Sequence, residues 1–318
     1  MRLLLAHKGA RTAIQIALSA LILWVLLRDV DFSAIVQTLK AGSMGWLLVA
    51  FLVKSMGLIF HEYRLWLALP RPRPSTSNVI SLGLAAGVLN LALPARAGDL
   101  AAIAFLEREC KVPVPVGTAA VGVTSFLEAA LFAFFLLAVF GMGAAHLADL
   151  GGASTRTHAM MWIAGGVGSG CIVLLVMAIL GRHWADAAPW QNPLLRLVQR
   201  VFIETSAIVR DARYLGIQTL AAAVQVVLVV VAFGVAVPAS GAAVSQPLMA
   251  ASLVLGISSL AAFVLPPTMA AGPAAASLAV LPLFGVSEAE AMAYAATYWL
   301  VAHTPAMVMG LPALLARR

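Results

Sequence analysis

The stretch GVLNLALPARAGDLAAIAFL, Gly87 to Leu106, decides how the fold is read. An apolar run reaches Leu93 and Pro94, a small-residue turn with Arg96, Gly98 and Asp99 follows, and a second apolar run then opens. Proline stops a helix, and such a break exposes backbone polar groups that hydrocarbon cannot satisfy. It is tolerated at membrane depth only where it faces protein or a wet cavity. A second break with the same parts, LPPTMAAGP, spans Leu265 to Pro273. The 318 residues around these breaks are 62% hydrophobic and 10% charged, with a mean hydropathy of +0.99. A soluble chain carries about 25% charged residues, so this one cannot cover a water-facing surface. A soluble enzyme, a DNA-binding protein and a disordered tail are all excluded. The net charge of +7 sits between apolar segments rather than on one face, which argues against a nucleic-acid partner. Cys110 and Cys171 fall in different segments and give neither a disulfide framework nor a metal-ligand spacing.

Eight apolar runs are visible: Thr12 to Leu27, Trp46 to Leu69, Asn78 to Leu93, Pro115 to Ala144, Met160 to Leu180, Gly216 to Val237, Leu248 to Leu265, and Ala289 to Leu315. The first follows a basic Met1 to Arg11 stretch, as a signal peptide does. It ends in Leu26, Leu27 and Arg28 instead of the small residues a cleavage site needs, so it reads as an uncleaved helix. Charge then separates full spans from re-entrant ones. If both broken segments re-enter, 16 of the 20 Lys and Arg share one side, with Arg28, Lys40 and Arg156 opposite and Lys54 inside a helix. The positive-inside rule makes that side cytoplasmic and favours six full spans plus two re-entrant helical pairs. The fold class is therefore an all-α polytopic membrane protein, one integral membrane domain over 1–318. The first pair enters from the cytoplasm and the second from outside. Halves of about 1–145 and 160–318 form a candidate inverted repeat, the architecture that places substrate where broken helices meet. The plainer alternative is an accidental echo, because Pro and Gly are common in membrane helices.

Between the halves, Leu194, Leu197, Val198, Val201 and Ile208 fall near helical spacing with Arg196, Arg200, Arg210 and Arg213 among them. The 181–215 connection thus predicts an amphipathic helix on the cytoplasmic leaflet, for which a simple basic anchor is the plain reading. Ser287 to Glu290, SEAE, predicts a capping box for the last helix, which makes Glu288 and Glu290 caps and not catalysts.

No catalytic constellation emerges. His61 and Glu62 begin HEYRL, but Leu65 stands where a zinc protease needs its second histidine. Ser169 sits among glycines that serve close helix packing more readily than nucleophilic chemistry. A Walker loop and a dinucleotide fingerprint are also missing, so no enzyme activity, metal or cofactor is expected. Ionisable groups at membrane depth are costly and become candidates for that reason. Lys54 near the middle of its run either snorkels to an interface or neutralises a lipid phosphate. Arg64 beside Trp66 reads first as an interfacial anchor and is carried as a candidate substrate contact too. Arg96 and Asp99 occupy the first break. Asp99 can cap the following helix with Arg96 paired to it, or both can line an anion site at a helix start, and the site reading is preferred. Glu128 has no charged neighbour within a turn, so it needs a partner on another helix, for which Lys54 and Arg96 are the nearest candidates. Asn90 and His303 complete the set as weaker, packing-type candidates.

These residues resemble a family. GVLNLALPARAGDLAAIAFL, the later LPPTMAAGPAAASLAVLPLFGVSEAEA, and the RLW after the second run are together similar to the transmembrane, flippase-like domain of lysylphosphatidylglycerol synthases and its stand-alone relatives. The family's first motif falls on Asn90, Leu93, Pro94, Gly98 and Asp99, and the second on Pro266, Pro267, Gly272 and Gly285. The resemblance implies a polytopic lipid-handling protein whose synthase-linked relatives are thought to move an aminoacylated phospholipid between leaflets. This chain departs where Asp99 replaces the usual glutamate, where Ala102 replaces an arginine, where Ala274, Ala275 and Ala276 follow the second motif, and near Trp299 in the last helix. The soluble lysyl-transferring domain lies outside this sequence, so lysylated-lipid synthesis by these residues alone is not expected.

The expectation is a multi-pass protein of the bacterial cytoplasmic (inner) membrane, both termini cytoplasmic, moving an anionic or amphiphilic lipid between leaflets. Phospholipid, polyprenyl-phosphate and polycyclic lipid all fit, with a lipid-synthesis enzyme as a further partner. A non-transporting partner of such an enzyme and a carrier of a small soluble anion are the alternatives.

Overall fold

The computed structural model describes residues 32–92, 97–148, 172, 176, 179, 191–264 and 271–317, and their regular structure is entirely helical. Ten helices follow in order: α1 (Phe32–Ala41), α2 (Met44–Ala68), α3 (Thr76–Ala92), α4 (Ala97–Cys110), α5 (Val114–Ala148), α6 (Pro193–Arg210), α7 (Ala212–Ala239), α8 (Pro247–Val264), α9 (Ala271–Val280) and α10 (Glu288–Leu315). The apolar runs from Trp46, Asn78, Pro115, Gly216, Leu248 and Ala289 each fall in one of them. The runs at 12–27 and, but for three residues, 160–180 lie outside the described residues. So do 93–96, with Arg96, and 265–270. Among the described residues, four helices are long and apolar enough to cross a membrane: α2, α5 over Val114–Val139, α7 and α10. Helices α3, α8 and α9 are shorter apolar ones, as the two breaks require.

The element order repeats. A 25-residue α2, a 17-residue α3, a 14-residue α4 and a 35-residue α5 are followed by α7, α8, α9 and α10 of 28, 18, 10 and 28 residues. Packing follows the same order. Helix α2 lies against α7; α3 packs on α10 as α8 does on α5; α1 packs on α10 as α6 does on α5. At the centre, Phe233 of α7 and Tyr298 of α10 stack with ring centroids 4.0 Å apart, and the Tyr294 hydroxyl donates to the Phe233 carbonyl at 3.2 Å. Helices α3 and α10 approach so closely that a Cβ on Gly310 would lie 2.2 Å from the Leu84 carbonyl oxygen.

Local signals set the helix ends. Ser287 Oγ accepts from Glu290 N, and Glu290 Oε2 accepts from Ser287 N at 2.9 Å, so the expected capping box opens α10. Asn192 Oδ1 accepts from Leu194 N with Pro193 next in line, which starts α6. Along α6, Leu194, Leu195, Leu197, Val198 and Phe202 are exposed while Ser206 and Val209 are buried, the pattern of an interfacial helix tethered at its C-terminal end.

The two ends of the bundle differ in charge. Arg317 Nε bonds Glu109 Oε1 at 2.9 Å and its Nη1 donates to Ser81 Oγ at 3.2 Å, while Trp66 Nε1 donates to the Pro74 carbonyl at 2.9 Å. These contacts gather the ends of α2, α4 and α10 with the start of α3, and with them Arg71, Arg73, Arg108, Lys111 and Arg317. At the opposite end the α7 to α8 turn meets the α1 to α2 turn. Gly241, at φ +84°, has no room for a side chain beside the Thr38 carbonyl. That end carries Lys40, Glu288 and Glu290.

Candidate functional site

Between the helices lies a cavity of about 380 Å³. Its walls follow helical spacing. Helix α2 presents Lys54, Leu58, His61 and Leu65; α3 presents Gly83, Ala86, Gly87 and Asn90; α4 adds Gly98, Asp99 and Ala102. Thr124, Ser125 and Glu128 come from α5 and Gln225 from α7. Ala302 and Ala306 of α10 close the far side. Small residues on α3 and α10 leave the space that the longer polar side chains of α2 and α5 enter.

A hydrogen-bonded cluster forms one wall. His61 Nδ1 lies 2.9 Å from Glu128 Oε2 and 3.3 Å from Gln225 Nε2, within hydrogen-bonding reach of both. Arg64, fully buried, directs Nη1 to Gln225 Oε1 at 2.6 Å and to Glu128 Oε2 at 3.3 Å, and Nη2 to the Thr124 carbonyl at 2.8 Å. A buried guanidinium is tolerated when its charge is paired and its donors are used, and only Arg64 Nε goes without an acceptor. Two of the expectations change here. Glu128 pairs with His61 and Arg64, not with Lys54, because α2 places them about two and three turns beyond Lys54 and level with Glu128. Arg64 is not an interfacial anchor: it points into the bundle, and Arg73 takes the place over Trp66 instead, 4.9 Å from the ring centroid.

Lys54 and Glu62 are less committed. Lys54 Nζ sits 5.6 Å from the Phe233 ring centroid, a cation–π contact, and among the described residues no carboxylate lies within ion-pair distance of it. Glu62 is 7% exposed, and its carboxyl occupies the space Gly83 leaves, since a Cβ there would fall 1.7 Å from Oε2. Among the described residues nothing donates a hydrogen bond to it.

Asn90 closes the first break. Its Oδ1 accepts from Gly98 N at 2.7 Å and its Nδ2 donates to Asp99 Oδ1 at 3.0 Å, so the end of α3 clasps the start of α4. Because α4 begins at Ala97, Asp99 lies inside the first turn and is not its N-cap; Asn90 supplies the capping oxygen from across the break. Gly98 is required by the same clasp, as a Cβ would meet the Ala86 carbonyl at 2.2 Å. His303 stands apart. It stacks on Trp299 with centroids 5.0 Å apart and bonds the Trp299 carbonyl through Nδ1 at 2.8 Å, and it is not a wall of the cavity. Among the described residues, no group of three His, Cys, Asp or Glu is placed to hold a metal ion.

The family described as Lysylphosphatidylglycerol synthase TM region matches residues 12–310. The chain belongs to that family. It is therefore a multi-pass membrane protein tied to lipid handling. No curated protein and no solved structure matches it. Within this synthase-family TM region the cavity brings together Lys54, Asn90, Asp99 and Glu128 of the expected residues, with Arg64 behind Glu128. It adds His61, Glu62, Thr124 and Gln225, which the sequence reading passed over. In the sequence, His61 and Glu62 stand out only as the start of an incomplete zinc motif. The signal that finds them is the seven-residue step from Lys54 to His61, which puts two ionisable side chains on one face of an otherwise apolar helix.

Proposed function

We infer that this chain moves a lipid between leaflets, its head group passing through the cavity while the acyl chains stay in the bilayer. The observation that carries the reading is the placement of Lys54, Glu62 and Asp99 around one cavity inside a bundle whose outer surface is apolar. Charged groups at membrane depth are retained where they meet a substrate. Lys54 is the cation available to a phosphate, and Glu62 is an acceptor available to hydroxyl or amine groups, with the Asp99 carboxylate, held by Asn90, on the same cavity wall. A phospholipid head group presents both kinds of partner, which favours it over a polyprenyl-phosphate or a polycyclic lipid.

The repeated order of long, half, half and long helices, with matching pair contacts, supports an inverted repeat in which α3 to α4 and α8 to α9 are the re-entrant pairs. The basic end supports an orientation with Arg71, Arg73, Arg108, Lys111 and Arg317 on the cytoplasmic side of a bacterial inner membrane.

The test is leaflet exchange of labelled lipids in proteoliposomes, comparing the intact protein with Lys54→Gln and Asp99→Asn, each checked for folding. Exchange above empty liposomes that falls by at least about tenfold in both variants supports the reading, since each loses a charge-assisted contact. No exchange of any phospholipid by the intact protein overturns it and moves the weight to a non-transporting partner of a lipid-synthesis enzyme or a carrier of small soluble anions.

A further inference from the structure

A second cavity, of about 620 Å³, opens at the basic end of the bundle, between the α2 to α3 connection and the junction of α6 with α7. Its apolar walls are Leu67, Val116 and Ile208, and its polar lining is Arg71, Arg73, Glu204, Asp211, Arg213 and Tyr214. These polar groups are not equivalent. Arg73 is committed to structure, donating to the Leu69 and Leu67 carbonyls at 3.0 Å each while its guanidinium covers Trp66. Asp211 caps α7, one carboxylate oxygen accepting from both Arg213 N and Tyr214 N at 3.1 Å. Arg71 and Arg213 are exposed, and among the described residues neither has an ion pair or a side-chain hydrogen bond. The Tyr214 hydroxyl accepts from Gln218 Nε2 at 2.6 Å, which leaves its own O–H for an acceptor in the cavity.

Charge and position select the ligand. Three guanidiniums against two carboxylates leave one positive charge without a counterion, and a phosphodiester carries one negative charge. The cavity lies where the interfacial helix α6 meets the bundle, at the level of lipid head groups, and basic pockets between membrane helices at that level hold phospholipid head groups. We propose that this cavity is a second lipid site, separate from the central one, which holds the phosphodiester of an anionic phospholipid between Arg71 and Arg213 with Tyr214 as third donor.

The site also reaches the central one. Gln218 Nε2, which donates to Tyr214, donates as well to the backbone carbonyl of Arg64 at 2.7 Å, and Arg64 carries the Glu128 and Gln225 bonds of the central wall. A lipid bound at Tyr214 therefore touches a three-residue path to the central cluster.

The proposal is tested by titrating delipidated protein in detergent with short-chain phosphatidylglycerol, phosphatidylcholine and inorganic phosphate, read by native mass spectrometry. Phosphatidylglycerol is expected to bind to a site that weakens on the order of tenfold in Arg71→Gln and again in Arg213→Gln, each variant losing one charge-assisted contact. The exposed Arg108→Gln, outside the cavity, should leave affinity unchanged. Equal weakening by Arg108→Gln would make the binding a diffuse surface effect and overturn the proposal. Inorganic phosphate binding as tightly as phosphatidylglycerol would make the site one for soluble anions and overturn it as well, and so would phosphatidylcholine matching phosphatidylglycerol. Lys54→Gln should lower leaflet exchange by at least about tenfold while retaining this binding, so failure here and failure of the transport reading are told apart.

Discussion

Replacing Arg64 with methionine tests the buried cluster at its centre. The guanidinium is fully buried, with Nη1 3.3 Å from Glu128 Oε2 and 2.6 Å from Gln225 Oε1. Two unit charges at that first separation attract by about 5 kcal/mol if the effective dielectric is about 20. Much of this only offsets the cost of taking the guanidinium fully, and the Glu128 side chain, 34% exposed, partly out of water, so the pair adds little net stability. Removing one partner is different, because it strands the other: breaking a buried pair costs about 3–5 kcal/mol. Glu128 keeps His61 at 2.9 Å, which places the expected loss for Arg64→Met toward the low end of that range. Glu128→Gln strands Arg64 in turn and should cost a similar amount. The double variant leaves neither charge, so its loss should fall short of the sum of the singles by at least about 2 kcal/mol, as expected for directly coupled residues. Equilibrium unfolding in mild detergent titrated with dodecyl sulfate measures all three. Additive losses would refute the pairing, and a neutral Arg64→Met would refute its burial.

Three further outcomes follow from the packing. Gly83→Ala should displace the Glu62 carboxyl, whose Oε2 would lie 1.7 Å from the new Cβ, and Glu62→Ala should restore the lost stability in the double variant; thermal unfolding of the two singles and the double decides it. Gly310→Ala should cost about 1–3 kcal/mol by forcing α3 and α10 apart, whereas Gly87→Ala, with open space around its Cβ, should be nearly neutral, and equal effects of the two in the same assay would contradict the close approach. Cysteines placed at Arg71 and at Lys40 in a cysteine-free background should be labelled by a membrane-impermeant maleimide from opposite sides of the membrane; labelling from one side would refute the proposed orientation.

Much of this architecture was legible because it rests on local rules. The proline-containing breaks LPARAGD and LPPTMAAGP end the apolar runs at Leu93 and Leu265, so the spans of α3 and α8 could be read from the sequence. Prolines elsewhere, Pro238 in α7 and Pro305 and Pro312 in α10, stay inside helices. The Ser287 and Glu290 spacing is a local motif, and α10 starts there as expected. The site was harder, because its partners come from distant parts of the chain. Glu128 finds its partners 64 and 67 residues away, a pairing that no spacing rule contains. Arg64 misled for the same reason: beside Trp66 and ahead of Arg71 it fits an interfacial belt, and only the packing of α2 on α7 turns it inward. Glu62 was obscured by its neighbour, since His61 and Glu62 together invited a metal-motif test that settled nothing about either residue alone.

The two halves contribute unequally to the cavity. Lys54, His61, Glu62, Asp99 and Glu128 all belong to α2, α4 and α5, whereas α7, α8 and α10 supply Gln225, Ser259 and small or apolar wall residues. In α9, the segment after the second break, Gly272 is followed by Pro273, Ala274, Ala275 and Ala276, whereas Gly98 of α4 is followed by Asp99. If an inverted repeat relates the halves, the backbone symmetry is kept while the chemistry is concentrated on one side of it. A head group held by these charges would stay with α2 to α5 while α7 to α10 shift around it, and the close glycine contact of Gly310 with Leu84 is one of the places where the two halves meet. Rocking of one half against the other about a site fixed to one of them needs only one set of polar contacts. A second half that brings no charge to the cavity is then consistent with transport.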